Sequence, residues 1–316
     1  MARQPVPGRR KAWSTEKERK DALGYFSANN LLLNPPVSRA AYSDRMAWVL
    51  ASMSQLVYEK FEQGGRDEEL LLEKLKGGGF KWIRGFHSRE TDTQAFLVIK
   101  EDRSYAVLAF RGTEVTKLRD IQTDATAAMV ADIEGRVHGG FLQAYTSVEA
   151  DIEKEVSKLL DVPLYVAGHS LGGALATLAT QRLEQNHVFR DQIAACYTFG
   201  SPRVGNAEFD KELKSVVYRV VNTTDIVTVV PLLSMGYTHV GDVRFLEREP
   251  GEFRRGYIPF FQRLFFFVMA AFRLFGPLAT DHPIAVYRKK LEAIAQDRNL
   301  DLYYDGIQKD KYEYQK

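Results

Sequence analysis

The sequence has little of what disulfide-stabilised, metal-binding or nucleic-acid-binding proteins need. Cys196 is the only cysteine among 316 residues, so no disulfide can form within the chain, and it lies in an apolar run typical of a core position. Lys and Arg number 43 against 41 Asp and Glu, and the net charge of +2 gives no overall attraction to nucleic acid. Clusters of Cys and His, HExxH patterns, phosphate-binding loops and internal repeats are absent. We therefore predict no metal, no other cofactor and no nucleic-acid partner.

The start of the sequence also lacks the apolar core of a secretory signal. Residues 1–22 are polar and basic, and we interpret them as a flexible tail. On this basis we predict a cytoplasmic protein, with peripheral attachment to a membrane as an option. A hydrophobic content of 45% suffices for a sizeable core, and we place a single domain at 23–300. Residues 301–316 are charged and rich in tyrosine, and we interpret them as a C-terminal tail.

The most informative segment is 168–172, where Ser170 stands in a Gly-x-Ser-x-Gly pattern. The apolar run 162–167 predicts a buried strand before it, and leucines recur at helical spacing after it. A sharp strand-to-helix turn exposes the serine hydroxyl, and its glycines avoid collisions with the neighbouring backbone. The alternative is a chance pentapeptide on an ordinary turn. We predict that Ser170 is a nucleophile.

A nucleophilic serine needs a histidine base, and the sequence offers two candidates. In hydrolases built on this turn the chain order is Ser, then Asp or Glu, then His, which leaves His239 and His282. His282 precedes Pro283, which favours a loop end followed by a helix over 284–291. His239 lies in 236–243, a segment with the pattern of a strand. We predict His282 as the base, with His239 as the alternative.

Asp225 is the best candidate for the acid that orients this base. It follows a predicted strand at 218–222, and sites in parallel sheets collect at the carboxyl ends of strands. A turn or helix-cap aspartate is the alternative reading. Asp281 is a rival, but next to His282 it would point away from the imidazole, and it suits a cap of the following helix better.

An apolar strand predicted at 106–110 is followed shortly by Gly112 and Thr113. The amide of Thr113 and the amide of Leu171, directly after the nucleophile, are predicted to form an oxyanion hole.

These segments together resemble the class 3 lipases, also called fungal-type lipases, of the α/β-hydrolase superfamily. The resemblance extends from about residue 41 to residue 291. Its blocks are 110–113, 137–141, 168–176, 198–206, 222–227 and 237–241. It implies an α/β-hydrolase fold, with a mostly parallel central sheet flanked by helices, and a triad of Ser170, Asp225 and His282. In this family the base is followed by a tyrosine, here Tyr287, and His239 corresponds to a non-catalytic histidine.

An apolar insertion, about 246–280, precedes His282. Its uninterrupted apolar run is shorter than the ~18 residues that a bilayer-spanning helix needs. On a helical wheel the polar residues of 257–276 fall within an arc of about 100°, which predicts an amphipathic helix facing a lipid surface or a partner. Burial in the core or in a dimer contact is the alternative. The expected lipid contacts are Phe265, Phe266, Phe267 and Phe272.

The predicted function is hydrolysis of carboxylic esters of lipids through an acyl-enzyme, as in a triacylglycerol lipase or esterase. The substrate is a lipid or a small ester. A phospholipase or a soluble-ester carboxylesterase remains an alternative, because a triad acts only on the acyl carbonyl. A catalytically inactive, lipase-like binding or signalling protein is the alternative from another class.

Overall fold

The computed structural model describes residues 20–22, 24–26, 32, 41–112, 128–133, 135–222, 225–246, 253–255 and 282–299. The tails predicted at 1–22 and 301–316 lie outside these residues, except for 20–22. So does the apolar insertion, except for 246 and 253–255.

Eight strands form one twisted layer, and two form a separate hairpin. In chain order the strands of the described residues are β1 (Phe80–Ser88), β2 (Thr93–Lys100), β3 (Ala106–Phe110), β4 (Met129–Ala131), β5 (Arg136–His138), β6 (Leu164–His169), β7 (Ile193–Phe199), β8 (Val217–Asn222), β9 (Asp242–Leu246) and β10 (Phe253–Arg255). The large sheet has the order β1-β2-β3-β6-β7-β8-β9-β10. Strands β3, β6, β7, β8 and β9 are parallel, whereas β1, β2 and β10 add antiparallel pairs at the edges. The hairpin pairs β4 with β5.

Helices cover both faces of the sheet. Those of the described residues are α1 (Asp44–Leu56), α2 (Arg66–Gly77), α3 (Gly139–Val156), α4 (Leu171–Gln185), α5 (Ala207–Glu212) and α6 (Ile284–Asp297). One apolar cluster contains residues of α1 and α6, and the other contains residues of α3 and α4. Along β6, Tyr165 and Ala167 belong to the first cluster and Leu164 and Val166 to the second, as the two-residue period of a strand requires. Burial on both faces accounts for the continuous apolar strands in the sequence.

The predicted mostly parallel sheet flanked by helices is confirmed. Strands β1, β2 and β3 form an antiparallel run over 80–110. The strand predicted over 236–243 is wrong for most of its length, because β9 begins only at Asp242 and His239 lies in the loop before it. Strand β10 was not predicted. Among the helices of the described residues, none combines the length and the apolar composition needed to cross a membrane.

Candidate active site

Ser170 lies at the sharp turn between β6 and α4. Its backbone has φ 57° and ψ −130°, a left-handed value of φ that non-glycine residues rarely adopt. The turn is this tight because glycines flank it: a Cβ on Gly168 would lie 2.0 Å from the carbonyl oxygen of Gly172. The Ser170 amide donates to the carbonyl of Phe199 at 2.9 Å, which ties the turn to β7. The side chain, predicted to be exposed, is instead buried.

His282 and Asp225 form a buried hydrogen-bonded pair. His282 Nδ1 lies 2.8 Å from Asp225 Oδ2, and both side chains are almost fully buried. The carboxylate also accepts at Oδ1 from the amide of Val227, 3.0 Å away, and at Oδ2 from the Tyr287 hydroxyl, 2.6 Å away. A carboxylate can only accept, so Nδ1 of His282 carries the proton. In the neutral imidazole, Nε2 is then the free base.

Two buried polar atoms of this site have no hydrogen-bond partner among the described residues: Ser170 Oγ and His282 Nε2. The hydrogen bond expected between the predicted nucleophile, Ser170, and the predicted base, His282, is therefore not formed in this structure. Such bonds are often long or absent before substrate binds. Since nearly all buried polar groups in proteins are paired, two unpaired atoms with complementary chemistry indicate a reactive site.

Gly200, at the end of β7, leaves the space that the pair occupies. Its φ is 59°, and a Cβ there would lie 2.5 Å from Asp225 Oδ2 and 3.2 Å from His282 Nδ1. Only a residue without a side chain combines this backbone conformation with so close an approach.

His169, the residue before Ser170, forms a hydrogen bond with the backbone of His282. Its Nε2 lies 2.7 Å from the backbone carbonyl oxygen of His282, and its Nδ1 lies 2.9 Å from the hydroxyl of Tyr58. Complete burial lowers the pKa of His169 well below its usual value, with a further contribution from the nearby His282. Burial likewise raises the pKa of Tyr58 above its usual value, so that hydroxyl keeps its proton. The sequence reasoning missed both residues. The two-residue period of β6 could have placed His169 on the α1 and α6 face of the sheet, beside Tyr58 and His282.

The remaining predicted residues divide into those that the structure describes and those that it does not. Leu171 is the first residue of α4, and amides of a first helical turn have no acceptor within their helix, so this one is available to an oxyanion. His239 lines a small cavity with Thr198, Arg203 and Arg219, and neither Asp225 nor His282 is part of that lining. Outside the described residues lie Thr113, Asp281, Phe265, Phe266, Phe267 and Phe272.

Comparison with known proteins shows which family and which relatives the sequence is similar to. The model of the family described as lipase (class 3) matches residues 107–235, which include Ser170 and Asp225. This part of the chain is similar to the class 3 lipases. A secreted mono- and diacylglycerol lipase A of Penicillium cyclopium is 37% identical over 161 residues, covering 48% of this chain and 50% of that protein. A lipase of Rhizopus oryzae is 35% identical over 172 residues, covering 51% of this chain and 43% of the relative. The chain thus spans about half the length, or less, of these curated relatives.

The crystal structure of a lipase from Rhizopus microsporus var. chinensis superposes on this chain with a TM-score of 0.57 and 26% identity. The match covers 73% of this chain and 87% of that one. The predicted resemblance to the class 3 lipases and the predicted α/β-hydrolase fold are therefore confirmed.

The predicted cytoplasmic location is wrong. It is contradicted by the Penicillium relatives, which are named secreted lipases. Composition could not have corrected this, because a single cysteine without a disulfide partner says nothing about the redox compartment.

Proposed function

We propose that this chain is a serine hydrolase that cleaves carboxylic esters of lipids. The observation that carries the proposal is the left-handed Ser170 at the strand-to-helix turn, combined with the buried His282 and Asp225 pair. Strain at one non-glycine residue costs about 1–3 kcal/mol and persists where the surroundings enforce it, often at active sites. The relatives named mono- and diacylglycerol lipase and lipase support an acylglycerol substrate.

In the first half of the reaction His282 Nε2 takes the Ser170 proton as Ser170 Oγ attacks the ester carbonyl carbon. The Leu171 amide, with the predicted Thr113 amide, stabilises the oxyanion. The bond to the alcohol oxygen then breaks, and His282 returns the proton to that oxygen. Water repeats these steps on the acyl-enzyme and releases the acid. Asp225 holds the imidazole and balances its positive charge throughout. Because Ser170 is buried, neighbouring residues must move aside before an ester reaches it.

The predicted contact with a lipid surface also belongs to this proposal. We name Val229, Leu232, Leu233 and Met235 the apolar rim; their side chains are between 37% and 58% exposed. The rim follows Asp225 along the chain, on the loop after β8. Buried Arg203 holds this loop, donating from its backbone amide to the Val230 carbonyl at 2.7 Å and from its guanidinium to the Pro231 carbonyl at 2.6 Å. Adjacent exposed apolar side chains mark contact surfaces more often than isolated ones do.

Covalent labelling tests the proposed function. A fluorophosphonate should react with the folded protein at Ser170, because an activated serine attacks electrophilic phosphorus, and the label should be absent from Ser170→Ala. Triacylglycerol emulsions, phospholipid vesicles and p-nitrophenyl esters, assayed with both proteins, then rank the ester classes. A folded wild type that neither takes the label nor cleaves any of these esters contradicts the proposal and favours the inactive binding protein.

A further inference from the structure

We propose that Tyr58 and His169 are positioning residues that hold the backbone of His282 through two hydrogen bonds of fixed direction. The inference rests on the proposed function, in which His282 is the base. It gives a role in the reaction to His169, which is not a member of the predicted triad. It gives the same kind of role to Tyr58, which lies more than 100 residues before Ser170 in the sequence.

The direction of each hydrogen bond follows from the groups involved. The His282 carbonyl can only accept, so His169 Nε2, 2.7 Å away, must carry a proton. His169 is buried and neutral, because burial lowers its pKa, and its Nδ1 is therefore an acceptor. The Tyr58 hydroxyl, 2.9 Å from Nδ1, then donates to it. Tyr58 thus selects the tautomer of His169 that can hold His282.

The pair connects three parts of the fold. Tyr58 follows the C-terminal end of α1, His169 ends β6, and His282 precedes α6. The ring centroids of His169 and His282 are 4.6 Å apart, so the two imidazoles also lie against each other, in addition to the hydrogen bond from His169 to the His282 carbonyl. Gly112, at the end of β3, closes the cluster: a Cβ there would lie 2.5 Å from both the His169 carbonyl oxygen and the Tyr58 hydroxyl.

His282 is consequently held at two ends. Asp225 holds its side chain at Nδ1, and His169 holds its backbone at the carbonyl. With both ends fixed, the direction of Nε2 is defined. With the backbone released, the imidazole can keep its bond to Asp225 and still point Nε2 away from Ser170. A misplacement of about 1 Å at a reacting group can lower a rate by roughly 100-fold.

Substitutions at both positions test the inference on a short soluble ester. His169→Met removes the donor at similar size, and we expect kcat to fall about 100-fold with KM changed by less than about threefold. His169→Gln places an amide N–H near the same point and should keep kcat within about fivefold of the wild type. Tyr58→Phe should lower kcat about tenfold. Tyr105→Phe is the matched control, since that buried hydroxyl has no partner among the described residues, and its kcat should not change.

Several outcomes would overturn the inference. One is a wild-type kcat for His169→Met. Another is a kcat for His169→Gln that is as low as that of His169→Met. The double variant Tyr58→Phe/His169→Met should be no slower than His169→Met alone, and additive losses contradict a single chain of bonds. If His169→Met does not fold, equal kcat values for Tyr58→Phe and Tyr105→Phe also overturn the inference.

A tautomer measurement separates this inference from the proposed function. The nitrogen NMR shifts of His169 should show the proton on Nε2 in the wild type and a mixture of tautomers in Tyr58→Phe. Should the wild type prove inert to fluorophosphonate while His169 carries its proton on Nε2, only the proposed function fails. A proton on Nδ1 in the wild type overturns the chain of bonds, whatever the activity.

Discussion

The hydroxyl of Tyr287 lies 2.6 Å from Oδ2 of Asp225, the same oxygen that accepts the hydrogen bond from His282. The Tyr287 oxygen in turn accepts from the backbone amide of Asn222, 3.0 Å away at the end of β8. One side chain of α6 therefore fixes both the carboxylate and the strand that carries it. A buried carboxylate is tolerated only when donors surround it, and Tyr287, His282 and Val227 supply them here.

Tyr287→Phe should weaken the site without removing a group of the triad. We expect kcat to fall about tenfold and the free energy of unfolding to fall by about 1–2 kcal/mol, because two buried groups lose a partner. Steady-state kinetics and urea unfolding measure these changes. Tyr145→Phe, at a buried hydroxyl with no partner among the described residues, is the control. Equal behaviour of the two variants would show that the Tyr287 hydroxyl contributes nothing to the site.

The two candidate histidines should separate by kinetics. His282→Ala should lower kcat by about 10³-fold or more, since only one histidine accepts the proton. His239→Ala should act through stability, because its side chain lies among Thr198, Arg203 and Arg219. Asp225→Asn should keep the fold and lower kcat by about 10⁴-fold, because the amide favours the wrong tautomer of the imidazole. A larger loss in His239→Ala than in His282→Ala would show that the assignment of the base is wrong.

Gly200→Ala tests whether the space beside the pair matters. Its Cβ would come within 2.5 Å of Asp225 Oδ2, so the carboxylate has to move, and we expect kcat to fall about 100-fold or more. Gly65→Ala is the matched control: it also has a positive φ, but a Cβ there meets nothing within 4 Å. Both variants should be less stable because of backbone strain. Only Gly200→Ala should also have a lower kcat. If Gly200→Ala and Gly65→Ala lose kcat to the same extent, the close approach of the Gly200 Cβ to Asp225 does not account for the loss.

The sequence predicted the parts of the site that follow from local pattern and chain order. The turn at Ser170 has a signature of glycines between a strand and a helix, and the order of Ser170, Asp225 and His282 then limits the choice of partners. Strand β10 could not be predicted, because Phe253–Arg255 lies in a polar, charged stretch and forms by pairing with β9. Edge strands of this kind depend on tertiary contacts more than on propensity.

Long-range contacts of single side chains were the harder part. Tyr58 lies just after α1, and nothing in the sequence around it shows that its hydroxyl meets His169, 111 positions later. His169 directly precedes the predicted nucleophile, and that position in the sequence leaves its own partner open. The partner is the backbone of His282, and backbone contacts leave no trace in residue type.

His169 also predicts how stability depends on pH. Its pKa in the folded state is lower than the usual 6.5, so below that value the unfolded chain binds more protons than the folded one. Stability is therefore lost as pH falls below about 6.5, by at most about 1.4 kcal/mol per pH unit from this group. Urea unfolding between pH 7 and pH 5 should show a shallower decline for His169→Gln than for the wild type. Identical slopes would mean that His169 does not stay neutral in the folded protein.

The apolar rim should control adsorption to lipid more than chemistry. Leu232, Leu233 and Met235 are each about half exposed, and transfer of such side chains to an apolar phase contributes roughly 1 kcal/mol each. Replacing all three with Ser should thus weaken binding to triacylglycerol emulsions by a factor on the order of 100, with kcat on a short soluble ester unchanged. Adsorption isotherms and activity on both substrates measure this.

Two comparisons make the rim prediction specific to its place on the molecule. Leu160→Ser removes a side chain that is 47% exposed, but it lies before β6, at the end of the sheet opposite Ser170, so adsorption should not change. The triple variant Phe265→Ser/Phe266→Ser/Phe267→Ser tests the segment predicted from the sequence in the same assay. If that variant loses adsorption while the rim variant keeps it, the lipid contact lies in the insertion. If the rim variant instead loses activity on emulsions and on the short soluble ester to the same extent, the rim supports the loop that follows Asp225. Arg203 contacts that loop at the Pro231 carbonyl.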